Sequence, residues 1–300
     1  MQIKDIYKKK KPVISFEIFP PKKDDSIDTI YDTIEALKDL KPDFISVTYG
    51  AGGSTRDKTV EIASIIKNRY YIEASAHLTC VSLTEDKLEK FIKELKDNNI
   101  QNIMALRGDL PADCGADLFD KGQYKYASDL VNYISKSRGI SIGAACYPEG
   151  HLECRSLEED VENLKIKVDA GADFLVTQLF FDNERFYNFM DLAAKKGVNV
   201  PISAGIMPAT NKKQIERMVS LSGASLPAKF TRIMEKYENN PQALKEAGII
   251  YATEQIIDLL SWGIDGIHLY TMNRPETCRR IIQSISNIRH ALENPLEQTG

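Results

Sequence analysis

The sequence predicts an α/β protein built as one (β/α)8 barrel, with extra helices inserted between the seventh and eighth strands. Three observations lead to this fold class: the length and hydrophobic content of the chain, the alternation of strand-like and helical segments, and the lack of hairpin signals between strands. The 300 residues are 43% hydrophobic, which is enough to bury one large core. We therefore expect residues 1–300 to form a single barrel domain, with residues 1–12 as a leader segment.

Eight strand-like runs are rich in β-branched and aromatic residues. They cover residues 13–19, 44–49, 73–80, 102–107, 141–147, 174–180, 201–207 and 266–272. Helical patterns lie between most neighbouring runs, over residues 27–40, 55–68, 84–98, 126–138, 157–170 and 183–196. Strands that alternate with helices pair in parallel through right-handed crossovers, so eight such units close into a barrel whose functional groups collect at the strand C-terminal ends.

The longest departure from this alternation falls between the seventh and eighth strands. Residues 211–222, 227–237 and 241–262 there have the pattern of three helices. A connection of this length is usually functional, and we expect it to form part of a wall around the substrate.

Charge and composition exclude several classes of protein. The net charge is −4, from 39 basic and 43 acidic residues that are scattered along the chain, so no basic patch for nucleic acid is indicated. The only basic run, residues 8–11, precedes the first strand and is interpreted as a solvated leader. No apolar segment long enough for a signal peptide or a membrane span follows it, so we expect a cytoplasmic protein with no membrane partner.

The five cysteines form an odd set without paired spacing, which suits reduced thiols. Cys146, His151 and Cys154 come nearest to a metal-binding motif. Because the whole chain has four histidines and no second cluster, we expect no metal site, and we interpret Cys146 as a core residue.

Glu17 is the first candidate catalytic residue, because it lies inside an otherwise apolar strand that Pro20 and Pro21 end. Burying an unpaired carboxylate costs several kcal/mol or raises its pKa. The sequence therefore leaves two interpretations: Glu17 acts as a proton donor, or it is held in a structural salt bridge.

Polar residues at the ends of the other strands should meet at the same mouth of the barrel. They are Thr48, Tyr49, His77, Thr79, Arg107, Asp109, Tyr147, His151, Gln178, Tyr270, Thr271, Asn273 and Arg274. A purely structural barrel does not need so many polar groups there. No lysine follows the sixth strand, which disfavours Schiff-base chemistry, and the glycines at 50–53 do not form the dinucleotide-binding motif.

Eight motifs along residues 13–280 resemble those of methylenetetrahydrofolate reductase. In order they are ISFEIFPPK, SVTYGAGGSTRD, HLTC, ALRGDLP, YASDL, YPEGH, NLKIKVDAGADFLVTQLFFD and LYTMNR. The resemblance implies a (β/α)8 barrel that holds FAD non-covalently, accepts hydride from NADH or NADPH, and reduces 5,10-methylenetetrahydrofolate in a ping-pong cycle that feeds methionine synthesis. It also implies a homo-oligomer whose only substrates are small molecules.

The resemblance also implies roles for individual residues. Glu17 would protonate the N10 nitrogen of the folate so that its five-membered ring opens, and its buried position should keep a useful fraction protonated near neutral pH. Asp109 would be a second catalytic carboxylate, close to both the pterin and the flavin. Further contacts to the substrate are implied for Gln178, Gln214 and Arg274.

Flavin contacts are implied at positions that match the family. They are Thr48, Tyr49, Ala51, His77, Arg107, Gly108, Asp109, Tyr126, Ala127, Tyr147, His151, Asp160, Asn163 and Lys167. Arg107 and Lys167 have the charge to neutralise the diphosphate. The chain departs from the family at Ile166, where an arginine is common, and near Met218, where an aromatic residue is common.

Two other functions fit a barrel with a pterin or flavin pocket. One is a methyltransferase that binds the pterin without flavin, and the other is a flavin-binding barrel that depends on a partner protein for its reductant. No motif in the sequence selects NADH over NADPH.

Overall fold

The computed structural model describes residues 1–21, 27–49, 56–108 and 122–294. Eight parallel strands form a closed barrel in chain order, which confirms the predicted fold class. The strands are β1 Val13–Ile18, β2 Phe44–Val47, β3 Glu73–Thr79, β4 Asn102–Leu106, β5 Ser141–Cys146, β6 Phe174–Thr177, β7 Ile202–Ile206 and β8 Gly266–Tyr270.

Helices surround this barrel. In the described residues they are α1 Ile3–Tyr7, α2 Asp28–Lys38, α3 Arg56–Asn68, α4 Glu85–Asp97, α5 Ala127–Ile134, α6 Leu157–Asp169, α7 Asn183–Lys195, α8 Lys212–Ser222, α9 Ala228–Tyr237, α10 Pro241–Trp262, α11 Pro275–Ser284 and α12 Ser286–Glu293. The main hydrophobic core lies between the barrel and its helices, where each strand directs its outward side chains. No helix in the described part of the chain is long and apolar enough to cross a membrane.

Each predicted strand is present, but the predicted ends extend one to three residues too far. Thr48, for example, follows the end of β2 and donates its backbone N–H to the carbonyl of Ile18 at 3.0 Å. The apolar and aromatic residues continue past the point where the ladder stops, because the loops at the mouth also pack against one another. Several of the predicted site residues, such as Thr48, therefore lie in loops directly after the strands, whereas Glu17 and His77 lie within them.

Helix α1 corrects the interpretation of residues 1–12 as a leader. Ile3 is fully buried at the N-terminal end of the barrel, where it packs with Val13, Phe44 and Phe174. The backbone N–H of Ile3 donates to the side chain of Asn102 at 2.7 Å, so the helix also satisfies a polar group inside the barrel. Residues 1–12 are therefore part of the fold, and α1 closes the bottom of the barrel.

The insertion between β7 and β8 consists of three helices, as predicted. Helices α8, α9 and α10 share a small apolar cluster with the loops that follow β6 and β7. Gly248 of α10 is needed for this packing, because a Cβ there would lie 1.8 Å from the carbonyl oxygen of Ala209. The insertion is thereby fixed close to the C-terminal ends of the strands.

Candidate active site at the barrel mouth

Glu17 lies on β1 with its side chain inside the barrel. It is paired in register with Ser46 of β2 and Tyr270 of β8, and only 8% of its surface is exposed. Its Oε2 atom lies 3.5 Å from Nε2 of His77 and 3.6 Å from Nε2 of His268. Among the described residues, no lysine or arginine lies within ion-pair distance of this carboxylate, so a salt bridge to either type is not observed.

The two histidines hold Glu17 in a buried polar environment. His268 is fixed by a 2.7 Å hydrogen bond between its Nδ1 and the hydroxyl of Ser15. Burial lowers the pKa of His77, although the negative charge of Glu17 opposes this shift. Neither Nε2 atom makes a hydrogen bond in the structure. The carboxylate is thus flanked by two imidazole rings whose Nε2 atoms face its Oε2 atom.

His268 and Ser15 were not singled out from the sequence, although a signal was present. Successive side chains of a strand point to opposite faces, so Ser15 shares the inward face with Glu17, and His268 shares it with Tyr270. His77 was identified only as a flavin contact. Its approach to Glu17 could not be read from strand order, because β3 is not hydrogen-bonded to β1.

Tyr270 connects three strands beside Glu17. Its hydroxyl donates to the backbone oxygen of Thr177 at 2.7 Å, and burial raises its pKa well above the ordinary value. The next residue, Thr271, donates its hydroxyl to the backbone oxygen of Glu17 at 2.6 Å. Tyr270 is therefore a neutral hydrogen-bond donor that fixes the rim of the barrel around the carboxylate.

A second group of predicted residues lies at the end of β4. The guanidinium of Arg107 forms an ion pair with Glu153, with 2.5 Å between Nη1 and Oε2, and lies over the ring of Tyr126 at 5.8 Å from its centroid. Gly108 has a φ of +83°, and a Cβ there would lie 2.7 Å from Cβ of Thr79. This position therefore requires glycine, which adds no side chain next to Arg107.

The loop after β5 presents two predicted aromatic groups. The rings of Tyr147 and His151 are in edge contact, with centroids 4.8 Å apart. The loop is tied to the insertion, because the carboxylate of Glu149 accepts the backbone N–H of Ser225 at 3.0 Å. The aromatic groups of this loop and the insertion are therefore held in one arrangement at the mouth.

Helix α6 places three predicted residues behind that loop. Lys167 donates its ammonium group to the backbone oxygen of Ala145 at 2.6 Å, and burial lowers its pKa. Burial raises the pKa of Asp160, whose carboxylate accepts a 3.5 Å hydrogen bond from the thiol of Cys154. Asn163 donates to the same sulfur at 3.7 Å. Lys167 and Asp160 thus bring opposite charges into a partly buried region below the mouth.

The predicted substrate contacts lie after β6, in the first turn of α8 and after β8. Arg274 donates to the hydroxyl of Thr210 at 2.6 Å, and the side-chain oxygen of Gln178 accepts the N–H of Leu179 at 2.8 Å. Gln214 lies in the first turn of α8, and Met218, one turn later, packs partly buried in the apolar cluster of the insertion. Gln178 also donates its backbone N–H to the carbonyl of Cys146 at 2.7 Å, so Gln178 adjoins the end of β5.

The remaining predicted positions are divided between the described and undescribed parts of the chain. Thr48 and Tyr49 are half-buried directly after β2, and Ala127 begins α5. Asp109 and Ala51 lie outside the described residues.

The described residues fit a flavin that carries a diphosphate. Arg107 already binds an anionic oxygen, that of Glu153, and arginine binds phosphate through the same N–H groups. Lys167 offers a second cation, and the aromatic groups and Gly108 provide flat surfaces and close backbone approach. Ile166, by contrast, is 58% exposed on α6 and offers no charge.

Comparisons with known proteins identify relatives of this chain. A family model described as methylenetetrahydrofolate reductase matches residues 2–286. The Arabidopsis thaliana protein named methylenetetrahydrofolate reductase (NADH) 1 is 38% identical over an alignment 300 positions long, which covers 96% of this chain and 50% of that protein. The Escherichia coli protein named 5,10-methylenetetrahydrofolate reductase is 37% identical over 272 residues, 91% of this chain and 90% of that protein. The chain therefore spans about half the length of the plant relative and most of the bacterial one.

A solved structure shows the same fold at lower sequence identity. It is an uncharacterised protein from Clostridium thermocellum described as binding two copies of 5-methyl-5,6,7,8-tetrahydrofolic acid. The two structures agree with a TM-score of 0.69 at 17% identity, covering 96% of this chain and 98% of that one. This likeness supports the barrel fold alone. The family match over residues 2–286, together with 37% identity to a bacterial reductase along most of its length, establishes that this chain belongs to the methylenetetrahydrofolate reductase family.

Proposed function

We propose that this protein reduces 5,10-methylenetetrahydrofolate to 5-methyltetrahydrofolate, with NADH or NADPH as the electron source and FAD as the bound cofactor. The observation that supports this most strongly is the Glu17 carboxylate, which is buried at the mouth without a lysine or arginine partner among the described residues. A carboxylate in such a place is suited to donate a proton rather than to stabilise the fold.

Protonation is the step that the substrate requires from the protein. The methylene carbon bridges N5 and N10 and accepts hydride only after the ring opens to an N5 iminium, for which N10 must leave as a protonated amine. Glu17 would give the proton to N10, and the carboxylate that remains would be stabilised by the imidazoles of His77 and His268. The proton would pass from the carboxyl group of Glu17 to N10, and a hydride supplied by the reduced cofactor would add to the methylene carbon, so charge and atoms balance.

The cofactor would be held by residues at the ends of β4 and β5 and on α6. FAD, when bound, supplies the two-electron carrier between the nicotinamide nucleotide and the folate. Arg107 and Lys167 would neutralise its diphosphate, and Tyr147 and His151 would pack against it. We place Asp109 in this proposal as the second carboxylate, which contacts the pterin, and Gln178, Gln214 and Arg274 as the other contacts to the substrate.

The experiment that tests the proposal separates the two half-reactions. Purified protein should bind FAD, turn yellow and lose its colour anaerobically with NADH or NADPH in the absence of any partner. Protein that binds a reduced folate but takes up no FAD would instead support a methyltransferase. Protein that holds FAD but is not bleached without a partner would support the partner-dependent barrel.

Glu17→Gln then tests the assigned acid. This variant keeps the shape of the side chain but has no proton to donate, so its flavin should still be bleached by nicotinamide nucleotide. Reoxidation by methylenetetrahydrofolate should slow by about 10²–10⁴-fold, whereas reoxidation by an artificial electron acceptor, which needs no N10 protonation, should be unchanged. Folate-dependent reoxidation close to that of the wild type would remove Glu17 from the mechanism.

A further inference from the structure

The ion pair between Arg107 and Glu153 involves an arginine to which we assign the flavin diphosphate. With 2.5 Å between Nη1 and Oε2, it is a charge-assisted hydrogen bond. The side chain of Arg107 is 26% exposed, whereas that of Glu153 is 65% exposed. The arginine is thus largely fixed by its surroundings, and the glutamate reaches it from the solvent side.

The contacts around Glu153 allow its side chain to move away from Arg107. It lies in the turn between β5 and α6, where its backbone N–H donates to Nδ1 of His151 at 3.2 Å. This bond fixes the backbone of the turn and leaves the side chain held by Arg107. Rotation of an exposed glutamate side chain into water costs little, because such surface pairs contribute only modestly to stability.

A phosphate and this carboxylate compete for the same donor. The guanidinium presents its N–H groups as a planar fork to carboxylate or phosphate, and its face is occupied by the ring of Tyr126. A phosphate that approaches the Nη1 edge meets the negative charge of Glu153 and must displace it.

We infer that Glu153 is an internal competitor of the cofactor phosphate: it pairs with Arg107 in the cofactor-free protein and moves into solvent when the diphosphate binds. The inference rests on the proposed flavin function. Its consequence is that Glu153 lowers the affinity for FAD.

The test measures the dissociation constant of FAD from apoprotein by the quenching of flavin fluorescence. Glu153→Gln should tighten FAD binding about two- to fivefold, the range expected for release from one exposed ion pair. Glu158→Gln is the matched control, because it removes the same charge from an exposed position of the same segment that makes no ion pair with Arg107. This control should leave the affinity within experimental error.

Two further measurements assign the effect to competition at Arg107. Riboflavin has no phosphate, so Glu153→Gln should not change its affinity. In an Arg107→Gln background, where FAD binds more weakly, the additional Glu153→Gln change should give no gain.

Each opposing result has a distinct meaning. Equal or weaker FAD binding by Glu153→Gln would overturn the inference, as would an equal gain for riboflavin or an undiminished gain without Arg107. These outcomes leave the proposed function intact. Wild-type protein that takes up no FAD would overturn both the proposed function and the inference.

Discussion

Gly205 of β7 is a position where a single methyl group should disturb the rim of the active site. A Cβ at this glycine would lie 2.3 Å from the backbone oxygen of Thr177 and 2.8 Å from the hydroxyl of Tyr270. Neither atom can move freely, because the oxygen belongs to the barrel and accepts the hydrogen bond of that hydroxyl. Gly205→Ala should therefore force the two strands apart or displace the tyrosine.

The cost can be estimated from two contributions. Overpacking of a well-packed interior costs about 1–3 kcal/mol, and loss of the buried hydrogen bond of Tyr270 costs about 1–3 kcal/mol more. A total of about 2–6 kcal/mol corresponds to a fall of about 3–10 °C in the thermal midpoint for a chain of this length. The same displacement should move the rim beside Glu17 and slow folate reduction.

Thermal unfolding of Gly205→Ala and Gly263→Ala provides the assay and its control. Gly263 ends α10 with a φ of +93° and has no atom within 4 Å of the position of a Cβ. Alanine there costs only the strain of a left-handed backbone, about 1–2 kcal/mol. Combining Gly205→Ala with Tyr270→Phe, which removes one of the colliding atoms, should cost less than the sum of the two changes. A Gly205→Ala midpoint no lower than that of the control, or strictly additive effects, would refute the reasoning.

Two more substitutions test the charges around the site. Lys167→Met should weaken FAD retention about 10–100-fold through loss of a charged donor, whereas Lys165→Met on the exposed side of α6 should not; equal dissociation rates on dilution would contradict the assignment. His77→Gln tests the pH dependence of stability. Burial lowers the pKa of His77 below its ordinary 6.5, so as the pH falls its imidazole is protonated in the unfolded chain before it is protonated in the folded protein. The contribution of the neutral, buried His77 to the free energy of unfolding is therefore complete above about pH 6.5 and is lost as the pH falls below it. The free energy of unfolding of His77→Gln, measured with urea at pH 7, 6 and 5, should therefore fall less steeply than that of the wild type; parallel curves would show that His77 does not titrate in this way.

The fold was predictable because its signal is repeated eight times. Each strand is a short apolar run, and most strands are followed by an amphipathic helix. An error in predicting the bounds of one such unit therefore does not change the predicted architecture. Helix α1 was missed because five residues with two isoleucines are too short to show a helical period. Its position depends on the interior of the closed barrel, where Asn102 and Ser141 accept its first N–H groups, and no local pattern encodes that contact.

The sequence predicted several residues of the candidate site, but it did not predict how their side chains contact one another. The resemblance to the family and the strand ends both pointed to Glu17 and Arg107, whereas Lys167 was predicted from the resemblance alone. The pairing of Arg107 with Glu153 could not be predicted, because it joins the end of β4 to a loop 46 residues later and depends on the conformation of that turn. Similarly, no sequence pattern reveals that the side chain of His77 approaches that of Glu17 inside the barrel.

The two ends of the barrel interior have different properties, and this difference bears on how Glu17 regains a proton. At the bottom, Ile3, Val13, Phe44 and Phe174 form an apolar cluster that α1 closes. His268 lies just above it, with its ring 6.2 Å from that of Phe44, and its Nε2 faces the carboxylate. The route to Glu17 from below thus passes through apolar side chains. In the proposed mechanism, a proton given to the folate would return to Glu17 from the mouth, either directly or through the imidazoles. Substrate bound at the mouth would block this path, so we expect Glu17 to regain its proton after product release and before the next folate binds.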